Sequence, residues 1–135
     1  IVKQAEQAEI KLVDATAFEA LPGRGVKCTV KNRSVFLGNR KLMQEQGIPT
    51  TQIEADMVEL ETEGKTAMIL AVDGTAVGIV AAMDTLKTDA IEAVNGLKSM
   101  KLEVAMLTGD NERTAKAIAS QLGIDSVIAN VLPWQ

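Results

Sequence analysis

Val104-Ala105-Met106-Leu107-Thr108-Gly109-Asp110-Asn111 decides how this chain is read. An apolar run meets a small polar turn, and Ala115, Ile118, Ala119 and Leu122 then recur at helical spacing until Gly123. The pattern predicts a buried parallel strand running straight into a helix. Asp110 or Asn111 would cap that helix, because a short polar side chain can accept the first unpaired backbone N–H groups. Gly109 lets the backbone approach closely, Thr108 adds a hydroxyl, and the first helical turn points its N–H dipoles outward. Together these make a corner suited to a phosphate oxygen. Every βα unit needs a capped turn, so local chemistry alone favours a structural role over a functional one.

Working outward, Ser126 to Ala129 reads as a short second strand after Gly123. Upstream, Thr88 and Asp89 open a helix that carries Ala90, Ile91, Val94 and Leu97 on one side. Helix and strand therefore alternate after Asp84, which predicts a partial Rossmann-like βαβ unit over residues 84–135. Before Met83 the periodicity is different. Ala15 to Ala20 reads as a strand broken by Leu21-Pro22-Gly23-Arg24-Gly25, and Val26, Cys28 and Val30 alternate toward a turn at Asn32-Arg33 and a strand from Val35 to Leu37. Asn39 caps a short helix with Leu42 and Met43, closed by Gly47. Thr51-Gln52-Ile53-Glu54 reads as a capping box for a second helix with Ile53, Met57 and Leu60 on one face, ending at Gly64. Asp73-Gly74 joins two strand-like runs, Ala67 to Val72 and Thr75 to Ala82, as a hairpin. The expected class is thus α/β (α+β), with an antiparallel sheet and packed helices over residues 1–83 followed by the βαβ unit.

Composition narrows the chemistry. The chain has 135 residues, 47% of them apolar, with a net charge of −4, one Trp, no Tyr and two Phe. Nucleic acid is not an expected partner, since neither a basic footprint nor a stacking platform is present. No apolar run approaches the roughly 20 residues that span a bilayer, and Ile1-Val2-Lys3-Gln4 is not a signal peptide. The absence of His excludes His-based acid/base chemistry, Ser-His-Asp triads and His metal sites. The single Cys28, alternating with Val26 and Val30, is expected as a buried structural thiol. No metal site is written in the sequence, and the six Met read as core filler.

Thr108-Gly109-Asp110-Asn111-x-x-Thr114-Ala115, with Asp84-Thr85-Leu86-Lys87 upstream, resembles the phosphorylation (haloacid-dehalogenase-like) domain of P-type ATPases. Pro22-Gly23-Arg24-Gly25-Val26 and Gly38-Asn39-Arg40 are similar to the nucleotide-binding domain of the heavy-metal, copper-type branch. The resemblance runs over essentially the whole chain in the family's order. It implies that Gly23 and Gly25 pass against a nucleotide, that Asn39 lines the same pocket, that Thr108, Gly109 and Asp110 contact phosphate, and that Asp84 lies at the domain junction. It further implies ATP as the ligand, Mg²⁺ in the parent family, and a location on the cytosolic face of a membrane pump. Asn39 and Asp84 have plainer readings, a helix cap and a solvated linker charge.

The family's phosphorylated aspartate lies in an Asp-Lys-Thr-Gly-Thr sequence, and none of the seven Asp here is followed by Lys-Thr. The Glu-His-Pro adenine clamp is expected ahead of Ile1, which agrees with the uncapped first helix over Ile1 to Glu9. The family's phosphate-binding Lys and Gly-Asp-Gly-x-Asn-Asp magnesium site are expected beyond Val131-Leu132-Pro133. Phosphoryl transfer depends on positioning plus Mg²⁺, so the chain alone is expected to be a pump fragment that retains a weak nucleotide site and does not turn over. Its short parallel sheet has an open edge, which implies self-association or docking. A different expectation is a stand-alone interaction module that keeps the fold with an idle pocket. A small-molecule phosphatase would need the same missing aspartate.

Overall fold

The computed structural model describes residues 2–83 and 86–131. Asp84 and Thr85 at the expected junction, and residues 132–135, lie outside the described residues. The elements are α1 (Val2–Gln7), β1 (Thr16–Leu21), β2 (Gly25–Val30), β3 (Arg33–Gly38), α2 (Arg40–Glu45), a 3-10 turn (Thr51–Ile53), α3 (Glu54–Thr62), β4 (Thr66–Val72), β5 (Thr75–Ala82), α4 (Ala90–Ser99), β6 (Ala105–Leu107), α5 (Glu112–Leu122) and β7 (Ser126–Ile128). The first five strands form one sheet in chain order, and β6 pairs with β7 in a second. This is the mixed α/β class expected from the sequence. The described residues group into two compact units, one from those up to Pro49 together with Ile69–Val77, the other from Thr50–Met68 together with those from Gly78 onward.

In the first unit β1, β2 and β3 form an antiparallel meander, and β3 pairs with β4 from Val35↔Val72 to Gly38↔Ile69. Its buried apolar residues are Leu42, Met43, Ile48, Ile69 and Ala71. The β2–β3 turn falls on Lys31 and Asn32, both at positive φ, and not on Asn32-Arg33 as expected. Two consecutive left-handed residues match the twist of the flanking strands, and Asn tolerates that conformation well. Cys28 is half-buried rather than buried, because every position of β2 is intermediate in exposure. The 73–74 turn is as expected, with φ of 47° at Asp73 and 80° at Gly74.

In the second unit β6 and β7 run parallel from Ala105↔Ser126 to Leu107↔Ile128, with α5 as the crossover. Val94, Ala119 and Ile124 form its buried cluster, with Val104, Met106, Leu122 and Val127 packed against it. Thus β6-α5-β7 is the β-α-β unit its apolar spacing predicts, but β6 is not the buried strand expected: Ala105 and Leu107 are exposed and Met106 is half-buried, because the two-stranded sheet has no neighbouring strand beyond β7 among the described residues. Of the apolar face expected on α4, Val94 is buried while Ile91 and Leu97 stay exposed. The capping box at residues 51–54 does not form. A 3-10 turn precedes α3, and neither Thr50 nor Ile53, at the two N-caps, makes a side-chain cap bond.

Candidate functional site

The two expected corners lie in different units. In the first, Pro22 to Arg24 bridge β1 and β2, with Gly23 exposed at φ +70°. Asn39, at the N-cap of α2, donates from Nδ2 to the Gly23 carbonyl at 2.9 Å and accepts the Leu42 N–H at 3.0 Å. Its backbone N–H donates to the Arg24 carbonyl at 2.8 Å, and Arg24 pairs with Glu45 at 3.0 Å. The structure therefore gathers Gly23, Gly25 and Asn39 into one corner. Gly25, at φ +147°, stands opposite Gly38, and a Cβ on it would come 2.2 Å from the Leu37 carbonyl oxygen and 2.5 Å from Gly38 Cα. The missing side chain is thus required by β3 itself.

In the second unit the Thr108–Asn111 turn leaves the tip of β6. The Thr108 hydroxyl donates to Asp110 Oδ2 at 2.9 Å and accepts the Asp110 N–H at 3.1 Å. The Asp110 carbonyl accepts from Asn130 at 2.8 Å, and the Thr108 carbonyl from Val131 at 3.1 Å, so the turn is bound to the chain after β7. Of the two cap candidates, Asn111 serves: Oδ1 accepts the N–H groups of Arg113 at 3.0 Å and Thr114 at 3.1 Å. Gly109 is exposed, with only the Val131 carbonyl, at 3.4 Å, near its Cβ direction. Just inside α5, the hydrogen bond from Lys116 at 2.6 Å holds the Glu112 carboxyl below its ordinary value.

Sequence reasoning missed the residues that back this turn. Thr66 Oγ1 donates to Asp110 Oδ1 at 3.0 Å, and Thr114 Oγ1 donates to the Lys65 carbonyl at 2.8 Å. Arg113 Nη1 pairs at 3.1 Å with Glu61, whose side chain is 1% exposed. One signal was available: Glu61 follows the buried Met57 by one helical turn and so shares its inward face.

In the first corner Gly23 presents exposed backbone without a side chain. Among the described residues no group of three or more His, Cys, Asp or Glu is gathered that could hold a metal ion. No helix among them is long and apolar enough to cross a membrane.

A mixed α/β fold with a Thr-Gly-Asp turn at the tip of β6 defines the class. The chain belongs to the haloacid dehalogenase-like hydrolase family, whose model matches residues 1–135. It is 47% identical over 133 residues to a copper-exporting P-type ATPase of Staphylococcus haemolyticus, and 46% identical over 134 residues to one of Staphylococcus aureus. Each match covers 98% of this chain and 17% of the relative, so the chain spans about a sixth of the relatives' length. Among solved structures, a zinc-transporting PIB-type ATPase matches at 32% identity with a TM-score of 0.62, covering 98% of this chain and 21% of that one. The catalytic domain of a CPx-ATPase shares the fold with a TM-score of 0.63 at 16% identity, covering 98% of this chain and 44% of that chain.

Proposed function

We propose that the chain is the nucleotide-handling part of a copper-type heavy-metal P-type ATPase, working on the cytoplasmic side of the membrane. Residues 1–83 act as a nucleotide-binding-domain-like portion and 84–135 as part of the phosphorylation domain, with Asp84 at the junction. Gly23, Gly25 and Asn39 take ATP; Thr108, Gly109 and Asp110 take phosphate. The observation that carries this reading is 47% identity to a copper-exporting P-type ATPase across 98% of the chain.

The chain does not hydrolyse ATP by itself, because no Asp-Lys-Thr is present to accept the phosphoryl group. Affinity for ATP is weak, in the range of about 1 mM or about 4 kcal/mol. A phosphate-release assay with Mg-ATP is expected to give no steady turnover, and ATP should shift the backbone amides of Gly23, Gly25 and Asn39. Steady turnover overturns the first statement.

A second reading, an interaction module with an idle pocket, is favoured by Gly25, whose lack of a side chain β3 already explains. Silence of those three amides up to saturating ATP selects it. Self-association belongs to either reading: Leu107 is 65% and Ile128 53% exposed on the two-stranded parallel sheet, a type of sheet normally covered on both faces. Sedimentation velocity should show a concentration-dependent dimer; one invariant monomer peak removes it.

A further inference from the structure

We propose that Thr66, the first residue of β4, is a positioning residue for the Thr108–Asp110 turn, holding the Asp110 carboxylate so that Thr108 can release its hydroxyl to an anion. The proposal rests on the reading of that turn as a phosphate corner. A threonine hydroxyl has one proton, and in this structure Thr108 spends it on Asp110 Oδ2 at 2.9 Å. An incoming phosphate oxygen can take that proton only if Asp110 gives it up. Asp110 is half-buried, and losing a donor there carries the cost of a partly desolvated carboxylate. The Thr66 hydroxyl, 3.0 Å from the other oxygen, remains as a donor when Thr108 turns away.

Thr66 is itself held across from the turn. Immediately before it, the Lys65 carbonyl accepts the Thr114 hydroxyl at 2.8 Å, and Thr114 is buried. Four residues further back along the chain, Glu61 takes Arg113 at 3.1 Å. The segment 61–66 is thus bonded at three points, to Arg113 and Thr114 on α5 and to Asp110 in the turn before it. A turn supported only by its own βα unit would need none of these.

The test uses the full chain with Thr66→Val, which keeps the shape and removes the hydroxyl, and Thr66→Ser, which keeps the hydroxyl. Without ligand, the Asp110 carboxyl carbon resonance should move in the Val variant and return to the wild-type position in the Ser variant. An unmoved Asp110 carboxyl in folded Thr66→Val overturns the proposal. With inorganic phosphate as the probe, followed at the Gly109 amide, the Val variant should bind about 3- to 10-fold more weakly and the Ser variant like wild type. Equal affinities in all three also overturn it. If wild type ignores phosphate altogether, the phosphate reading of the turn fails, and the carboxyl resonance alone decides the role of Thr66. Should Thr66→Val not fold, a Ser variant with a displaced Asp110 resonance counts against the proposal and an undisplaced one supports it.

Discussion

Gly25 carries its constraint in two places at once. Its φ of +147° is one that side chains rarely adopt, and the space a Cβ needs is taken by the Leu37 carbonyl and Gly38 Cα. Neither can step aside, because both are backbone in a paired strand. Gly25→Ala should therefore lower stability by about 3 kcal/mol, read from urea unfolding. Gly78 has nothing within 4 Å of its Cβ direction, so Gly78→Ala is the control and should stay within about 0.5 kcal/mol. Equal effects at the two sites would mean that β2 gives way locally. The Gly-x-Gly pattern was legible in the sequence as a place of close approach. What makes the approach was not, because β3 and a nucleotide would impose the same requirement on residue 25. Asn39 is similar: its capping bond was readable from its place before a short helix, whereas the bond to the Gly23 carbonyl depends on a hairpin folding back over 16 residues.

Elements were legible where punctuation and periodicity agreed. Asn111 and Gly123 bracket α5, Asp73-Gly74 closes β4–β5, and the apolar run before Thr108 becomes β6. They were less legible where a local motif competes with the path of the chain. Thr51 and Glu54 have capping-box spacing, yet a 3-10 turn takes residues 51–53 and removes the geometry the box needs. On α4 the period marks Ile91, Val94 and Leu97 as one face, but only packing decides that Val94 alone is covered. The 73–74 turn has an electrostatic element the sequence does not display. Arg33 donates to Asp73 at 2.7 Å and the Ser34 N–H at 2.9 Å, and the Arg33 bond is the larger cause holding the Asp73 carboxyl below its ordinary 3.8. A carboxyl lowered by folding adds stability that is full above its unfolded value and fades as pH falls through the lowered folded value. Relative to Asp73→Asn, the wild type should thus hold a constant advantage above pH 3.8 and lose it below. Arg33→Gln should bring the Asp73 titration midpoint back up toward 3.8. An advantage that does not change with pH would show that the amide replaces the carboxylate fully.

At the scale of the molecule, packing does not follow chain order. Residues 50–68 and 78–135 make one compact unit, so α3 belongs with α5 although β4 and β5 separate them in sequence. Apolar periodicity does not name the partner, because the link is polar: the spacing from Met57 puts Glu61 on the inward face of α3, but nothing in it points to an arginine two residues past the Asn111 cap. Glu61 is 1% exposed while the Arg113 side chain is 53% exposed, so the pair is desolvated on one side only. Removing the arginine from a buried pair costs about 3–5 kcal/mol, and an arginine half in water brings that to about 2 kcal/mol. Glu61 is engaged elsewhere as well, which acts in the same direction. If α3 and α5 open as one cooperative unit, Arg113→Met should lower the hydrogen-exchange protection of residues 54–62 and 112–122 together and by the same amount. Protection lost in α5 while α3 keeps its own would show the pair to be a surface contact, and the backing of the Thr108–Asp110 turn would then have to come from Thr66 and Thr114 alone.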